Sequence, residues 1–415
     1  MKDEKTHYLE TADRIGRHLC RDAIWDYGRC TWLGWAVDTV NHRWASVYRS
    51  LRHDLYAGTS GVALFMAELY QFTSDSQQLK VIDGVLRQIL SSEEIATSTK
   101  NYGFYSGSTG IAYAVLRMGQ LLQREELVAR ALTMMEALAT ISPNAIQLDV
   151  ISGSAGVIPV WLTTARLHQR PALLEAAQRH GENLLQHAHQ TEFGWSWDTM
   201  HVPGQKHLTG HSHGVAGIVT ALLELYQATG RLDFLNAALE GLRYERHLFS
   251  PEAGNWPDLR IMPATKDPSN APAFYMGWCH GAPGIGLSRL RCVELLPDNV
   301  GIRDDLEVAL KSTAASLNQT WVPGHLNYSL CHGAAGNAEL MIMAGHRLQR
   351  PALIEVAEKV AADGIRSYAK QGMPWPCGNG GAGESPNLML GTAGIGHFYL
   401  RLYDSQAVAP ILLMA

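Results

Sequence analysis

Cys279 and His280 stand together directly before a glycine turn, in "FYMGWCHGAPG". The same pair returns as Cys331 and His332 in "YSLCHGAAG". A thiol and an imidazole side by side are ordinary metal ligands, and the recurrence of the pair argues against accident. Two cysteine thiolates and one imidazole make a soft donor set that favours zinc over magnesium or calcium, which take oxygen. Cys279, Cys331 and His332 fill three corners of a tetrahedron and leave the fourth for water or substrate. A thiol that binds zinc in that open position loses its proton and becomes a nucleophile at neutral pH. A third histidine, His213 in "GHSHGVAG", also directly precedes a glycine turn, where an imidazole titrating near neutrality suits proton transfer. Asp149 in "LDVISGSAG" lies four residues before its turn, where an aspartate commonly caps or braces a loop.

These residues are far apart in the chain, so the elements between them must bring them together. A G-x-x-G turn recurs at Gly58, Gly107, Gly153, Gly214, Gly281, Gly333 and Gly391, at intervals of 46 to 67 residues. Each turn opens an apolar helical run such as "GVALFMAELYQFT" or "GIVTALLELYQ", apolar on more than one face as a buried helix is. Between the runs lie amphipathic helices such as "LKVIDGVLRQIL", and "YLETADRIGRHLC" supplies the first of these. Self-similarity survives in "LHQRPALLEAA" and "RLQRPALIEVA". A fixed unit of this kind means repeated helix pairs burying one another's faces. Neither end of the chain offers a polar cap for an open solenoid. The expected fold is therefore all-α, an α/α toroid of seven inner and seven outer helices. Every glycine turn then lies at one end of the inner barrel, with the glycines tolerating a positive φ and close packing. Residues just before each turn share one lip.

Within that frame residues 1–50 form an N-terminal segment, a helical start followed by an aromatic-rich cap, "DYGRCTWLGWAVD". Residues 51–415 form the toroid, one domain overall. The 415 residues include 34 Lys and Arg against 39 Asp and Glu, a formal charge of −5. That balance leaves no basic footprint for nucleic acid or for an anionic membrane surface. No apolar run is long enough for a transmembrane segment. Six cysteines are too few for a disulfide scaffold and point to a reduced, cytoplasmic chain. Cys20, Cys30 and Cys292 read as core residues. Loops carrying Trp195, Trp197, Trp256, Trp375 and Cys377 are rich in proline and glycine and suit the wall of a peptide cleft.

The segments "WCHGAPGIGLSRL", "SLCHGAAGNAEL", "GHSHGVAGI" and "LMLGTAGIGHFYLRL" resemble the signature segments of the lanthionine synthetase C-like (LanC-like) cyclases. Their wording is closest to the cyclase domain of class II lanthipeptide synthetases. The likeness runs through residues 50 to 405. It implies an α/α toroid with one catalytic zinc held by Cys279, Cys331 and His332. It implies addition of a peptide cysteine thiol to dehydroalanine or dehydrobutyrine, a lyase-like Michael addition that forms (methyl)lanthionine thioether rings. Through it His213 becomes the acid/base and Asp149 a functional carboxylate that orients a histidine or the substrate or shares in proton transfer. His280, where relatives carry Tyr or His, is placed to stabilise the enolate or tune the zinc. Nisin-type members carry an Arg four residues before the first zinc cysteine, where this chain has Tyr275. With about 50 residues before the first turn and no phosphate-binding loop, a stand-alone cyclase is expected. Its partners are then a dehydrated precursor peptide and a separate dehydratase. Three further readings share parts of this pattern. One is addition of glutathione or another free thiol to dehydroamino acids in proteins. Another is a non-catalytic zinc-stabilised scaffold that binds a peptide or partner. The last is a toroid glycosidase, which needs a pair of carboxylates at the mouth.

Overall fold

Seven of the helices begin at the glycine turns, and the first glycine of each turn is the N-cap. The computed structural model describes residues 2–40, 43–91, 101–260, 273–319, 327–380 and 383–414. After α1 (Lys2–Asp22), the helices follow in pairs. They are α2 (Thr59–Thr73) with α3 (Ser76–Leu90), α4 (Ser108–Leu121) with α5 (Glu125–Ala139), and α6 (Ser154–His168) with α7 (Pro171–Gln186). Next come α8 (Val215–Thr229) with α9 (Leu232–Leu248), α10 (Ala282–Leu295) with α11 (Val300–Leu317), and α12 (Ala334–Arg347) with α13 (Pro351–Gly364). A π-helical turn, Ile365–Ala369, follows α13, and α14 (Thr392–Tyr403) completes the series.

The two members of each pair differ as their sequences dictate. In α2 every residue from Thr59 to Leu69 is buried, and in α8 every residue from Val215 to Leu225. The second members bury one stripe. In α3 the stripe is Val81, Ile82, Val85, Leu86 and Ile89, and the Asp75 side chain caps the helix by accepting from the Gln77 N–H at 2.8 Å. Burying each such aliphatic side chain contributes about 1.5–3 kcal/mol, which is what holds a one-striped helix to its partner. Pro171 and Pro351 open α7 and α13 at the first helical position, where a missing N–H costs nothing.

Two compact units share these helices: residues 1–101, 105–138 and 317–412 in one, and residues 102–104, 139–316 and 413–415 in the other. In the first unit α2 packs on α3 and α4, α14 on α2 and α12, and α12 on α13. There α1 packs on α14, the place of a second member for the last turn helix. After α1 come two antiparallel hairpins, β1 (Ile24–Asp26) with β2 (Arg29–Thr31) and β3 (Leu33–Val40) with β4 (Arg43–Ser50). Trp32, buried between them, ties this segment to α1 by donating its indole N–H to the Leu19 carbonyl at 2.8 Å. In the second unit α6 packs on α7 and α8, and α8 on α9 and α10. A short hairpin, β5 (His189–Thr191) with β6 (Gly194–Ser196), lies against α9.

The glycines serve closeness more than dihedral freedom. Six of the seven capping glycines are extended, with φ between −106° and −130°; Gly281 alone has a positive φ, at 93°. The expectation of positive φ at these turns therefore holds at one of them. The reason for glycine at the fourth position is steric. A Cβ on Gly336 would stand 1.8 Å from the Leu330 carbonyl oxygen, and one on Gly284 1.9 Å from that of Trp278.

Candidate metal and proton-transfer site

The segment before six of the seven turns is a short loop that closes on itself. The first helical N–H donates to the carbonyl seven residues back: Thr59 to Arg52, Ser108 to Asn101, Ser154 to Gln147, Val215 to Leu208, Ala334 to Asn327 and Thr392 to Ser385, at 2.8–3.0 Å. The residue two before the capping glycine marks the lip, and backbone hydrogen bonds run from lip to lip. In the first unit Cys331 N–H donates to Met389, Met389 to Tyr56 and Tyr56 to Tyr105, each at 2.9 Å. In the second unit Val150, one residue before the lip, donates to Ser212 at 3.1 Å, and Ser212 donates to Cys279 at 3.3 Å. Cys279 and Cys331 thus hold the same lip position in their repeats. His213, His280 and His332 hold the next one.

The Sγ of Cys279, the Sγ of Cys331 and a ring nitrogen of His332 all lie within 4.8 Å of one another. A tetrahedral zinc with Zn–S bonds of ~2.3 Å sets its ligand atoms roughly 3.7 Å apart, so the donor set fits a metal in both chemistry and reach. Cys331 is buried and Cys279 half-buried, while His332 is exposed. All six cysteines are free thiols. Behind His332 the loop at Gly378 passes so close that a Cβ there would stand 3.0 Å from the imidazole Nε2. The His332 N–H is held by Ser329 Oγ at 3.3 Å.

In the second unit Asp149 and His213 form a pair. The imidazole Nδ1–H donates to Asp149 Oδ2 at 2.6 Å. The other carboxylate oxygen, Oδ1, accepts from the Ser152 N–H at 2.8 Å and its hydroxyl at 3.0 Å. Asp149 is buried and fixed by its own loop, whereas His213 is about a third exposed. A carboxylate on Nδ1 fixes the tautomer and leaves Nε2 as the free acceptor. The hydroxyl of Thr199 donates to the His213 carbonyl and holds the backbone beneath it.

His280 is buried, with neither ring nitrogen hydrogen-bonded. Burial pushes its pKa down to about 4, although Cys279 and Asp258 pull it up, so it is neutral at pH 7. Its ring is stacked on that of His213, with 6.2 Å between centroids. Asp258 Oδ1 lies 4.0 Å from His280 Nδ1. Arg260 grips that carboxylate: its Nε is 3.0 Å from both oxygens and its Nη2 2.5 Å from Oδ2. Burial raises the Asp258 pKa, but the hydrogen bonds and charge of Arg260 outweigh it and hold the carboxyl below its ordinary value. Arg260 also acts electrostatically on Cys279 and Tyr275. Sequence reading passed over Asp258 and Arg260, because the stretch "GNWPDLR" precedes no turn and repeats nowhere.

The neighbouring histidines behave otherwise. His211 is fully buried against Trp278, and burial alone lowers its pKa to about 4. His207 is half-buried on Ser196 Oγ at 2.8 Å. Cys30 and Cys292 are buried, Cys20 half-buried. Of the tryptophans expected to wall a cleft, Trp197, Trp256 and Trp375 are buried and pack in the interior; Trp195 is half-buried. Trp197 donates to the Leu184 carbonyl at 2.7 Å, and Trp375 packs against Tyr328, Tyr368 and Tyr399.

Helix pairs opened by glycine turns, with a two-cysteine, one-histidine donor set at the lips, define a class of α/α-toroid protein with a possible metal centre. The sequence profile described as "Lanthionine synthetase C-like protein" matches residues 49–414, and the chain belongs to that family. The fold matches that of a solved nisin cyclase, an α/α toroid, with a TM-score of 0.67 at 16% identity over 99% of this chain and 96% of that one. The chain is 24% identical to the lacticin 481/lactococcin biosynthesis protein LcnDR2 of Lactococcus lactis subsp. lactis, over 88% of this chain and 38% of that protein. It is 30% identical to the glutathione S-transferase LANCL1 of Danio rerio, over 32% of this chain and 29% of that protein. The chain thus spans less than two-fifths of the length of these curated relatives.

Proposed function

We propose that the chain is a zinc-dependent lanthipeptide cyclase. It adds a cysteine thiol of a dehydrated precursor peptide to a dehydroalanine or dehydrobutyrine of the same peptide. The observation that carries this reading is the convergence of the two thiols and one imidazole within 4.8 Å, in a chain of the LanC-like family. Cys279, Cys331 and His332 are the metal ligands in this reading. When bound, zinc supplies the charge that lowers the pKa of a thiol brought to its open position.

The protein's own residues carry the protons. His213 Nε2, free because Asp149 occupies Nδ1, takes the thiol proton. The sulfur adds to the β-carbon and the carbon–carbon π pair shifts onto the carbonyl as an enolate. His213 then returns the proton to the α-carbon. One C–S bond forms, one π bond is lost, and the mass of the peptide is unchanged. Asp149 holds the imidazole in the right tautomer and offsets its charge in between, so that His213 can deliver the roughly 10²–10⁴ in rate of a positioned acid/base. Neutral, buried His280 serves the enolate as a hydrogen-bond donor. The alkene must already be present in the peptide, so a dehydrating activity precedes this one. Both the thiol substrate and the cysteine ligands require reducing conditions, as in the cytoplasm.

The test uses a dehydrated peptide with one free cysteine. A cyclase consumes the thiol at constant mass, and His213→Ala keeps the zinc but loses the reaction. The partial likeness to a glutathione S-transferase supports intermolecular thiol addition as the second reading, and it is read in the same assay as a gain of one glutathione mass. A chain that does neither with zinc bound is a scaffold, and the cyclase reading fails.

A further inference from the structure

The loop that carries Cys279 is the exception among the seven. By the pattern of the other six, the first helical N–H, that of Ala282, belongs on the carbonyl of Tyr275, seven residues back. Instead the side chain of Asn255 is inserted between them. Its Oδ1 accepts from the Ala282 N–H at 2.7 Å, and its Nδ2 donates to the Tyr275 carbonyl at 2.9 Å. The same Oδ1 accepts from the Trp256 N–H at 2.8 Å. One direct closure is thus replaced by two hydrogen bonds through an amide. This loop is therefore closed through an amide instead of directly, and the positive φ of Gly281 belongs to this one bridged turn.

We propose that Asn255 is the positioning residue for Cys279, setting the conformation of the loop that brings this thiol to the metal. The proposal rests on the reading of Cys279 as a zinc ligand. Cys279 lies inside the bridged segment, four residues after Tyr275 and three before Ala282. Its carbonyl is held from the other side by the N–H and hydroxyl of Ser212, at 3.3 and 3.2 Å. Asn255 sets the base of the loop and Ser212 its top. Asn255 is buried at 2% exposure, and its own backbone is pinned to Ser250 by a pair of hydrogen bonds at 3.0 and 3.3 Å. A buried amide with both ends committed is costly to replace. Any other side chain leaves the Ala282 N–H or the Tyr275 carbonyl unpaired, or lets the two close directly on each other. Metal ligands tolerate only a few tenths of an ångström of displacement. Loss of such an outer partner typically weakens metal binding about 10–100-fold.

The test compares wild type with Asn255→Ala and Asn255→Asp. Zinc affinity is read by chelator competition, and the coordination geometry by the visible absorption of the cobalt-substituted protein. Asn255→Asp keeps both accepted bonds and sets a carboxylate oxygen against the Tyr275 carbonyl in place of the donor, so it still reports if Asn255→Ala does not fold. Asn183→Ala removes a buried amide bonded to Asn144 and Ser154 instead and controls for general loosening. The expected result is a loss of about 10–100-fold in zinc affinity with an altered cobalt spectrum in the Asn255 variants, and neither in the control. Folded Asn255 variants with wild-type zinc affinity and cobalt spectrum overturn the proposal while leaving the metal reading intact. A wild type that holds no zinc overturns both.

Discussion

Replacing Asp149 by Asn changes one atom and reverses the chemistry of His213. The geometry decides how. Asp149 Oδ1 accepts two hydrogen bonds from Ser152, an N–H at 2.8 Å and a hydroxyl at 3.0 Å, so an amide at this position keeps its oxygen there. Its NH₂ must then face His213 Nδ1, which the carboxylate now meets at 2.6 Å. A donor against Nδ1 forces the imidazole proton onto Nε2, and the nitrogen that should accept the thiol proton becomes a donor. The fold loses little, since the side chain keeps its shape and its bonds to Ser152. The proton transfer loses the whole contribution of a positioned base, about 10²–10⁴ in kcat, which is roughly 3–5 kcal/mol of activation free energy. The assay is single-turnover loss of free thiol from a dehydrated cysteine-containing peptide, with zinc content and thermal midpoint measured on the same sample. The expected variant holds zinc, melts near wild type and reacts at least about 100-fold more slowly. An Asp149→Asn protein with zinc bound and a rate within a few-fold of wild type refutes the tautomer argument, and His213 loses its place in the reaction.

Two predictions concern stability. His180 is buried with a pKa lowered to about 3, chiefly by burial, so between about pH 6.5 and pH 3 the unfolded chain binds a proton that the folded chain refuses. Stability therefore falls as pH is lowered through that window, by about 2 kcal/mol between pH 7 and 5 from this residue. Denaturant titrations of wild type and His180→Asn at the two pH values should show the smaller drop in the variant, and equal drops contradict it. Gly336→Ala forces a Cβ against the Leu330 carbonyl, beside Cys331. It should lower stability by about 1–3 kcal/mol or more and weaken metal retention, read by thermal melting and zinc content; an unaltered midpoint contradicts it.

The repeat architecture was legible because each repeat solves the same local problem. A glycine turn must let a helix start against a backbone carbonyl, and the apolar run that follows must be buried on every side. Those constraints leave glycine at fixed offsets, and the offsets in turn marked Cys279, Cys331, His213 and His332 as lip residues. The helix "YLETADRIGRHLC" was readable for the same reason, as the first amphipathic helix of the set; its packing on α14 comes from the structure. The positive φ expected at the turns was not borne out at six of them, because close approach rather than dihedral freedom selects glycine there. The hairpins β1–β2 and β3–β4 show in the sequence only as an aromatic-rich stretch. Asn255, Asp258 and Arg260 left no signal, since their work is done by a segment outside the repeat. Trp197, Trp256 and Trp375 are buried because their proline- and glycine-rich loops fold inward onto the helices. Tyr328, Tyr368 and Tyr399 surround Trp375, and Phe249 packs on Trp256.

The central claim is that the two Cys-His-Gly segments supply a single zinc centre. Elemental analysis of wild type beside Cys331→Ala, both purified without added metal, addresses it directly. The account predicts about one zinc per chain in wild type and its loss in the variant. Wild type without zinc, or a Cys331→Ala protein that retains it in full, contradicts the account.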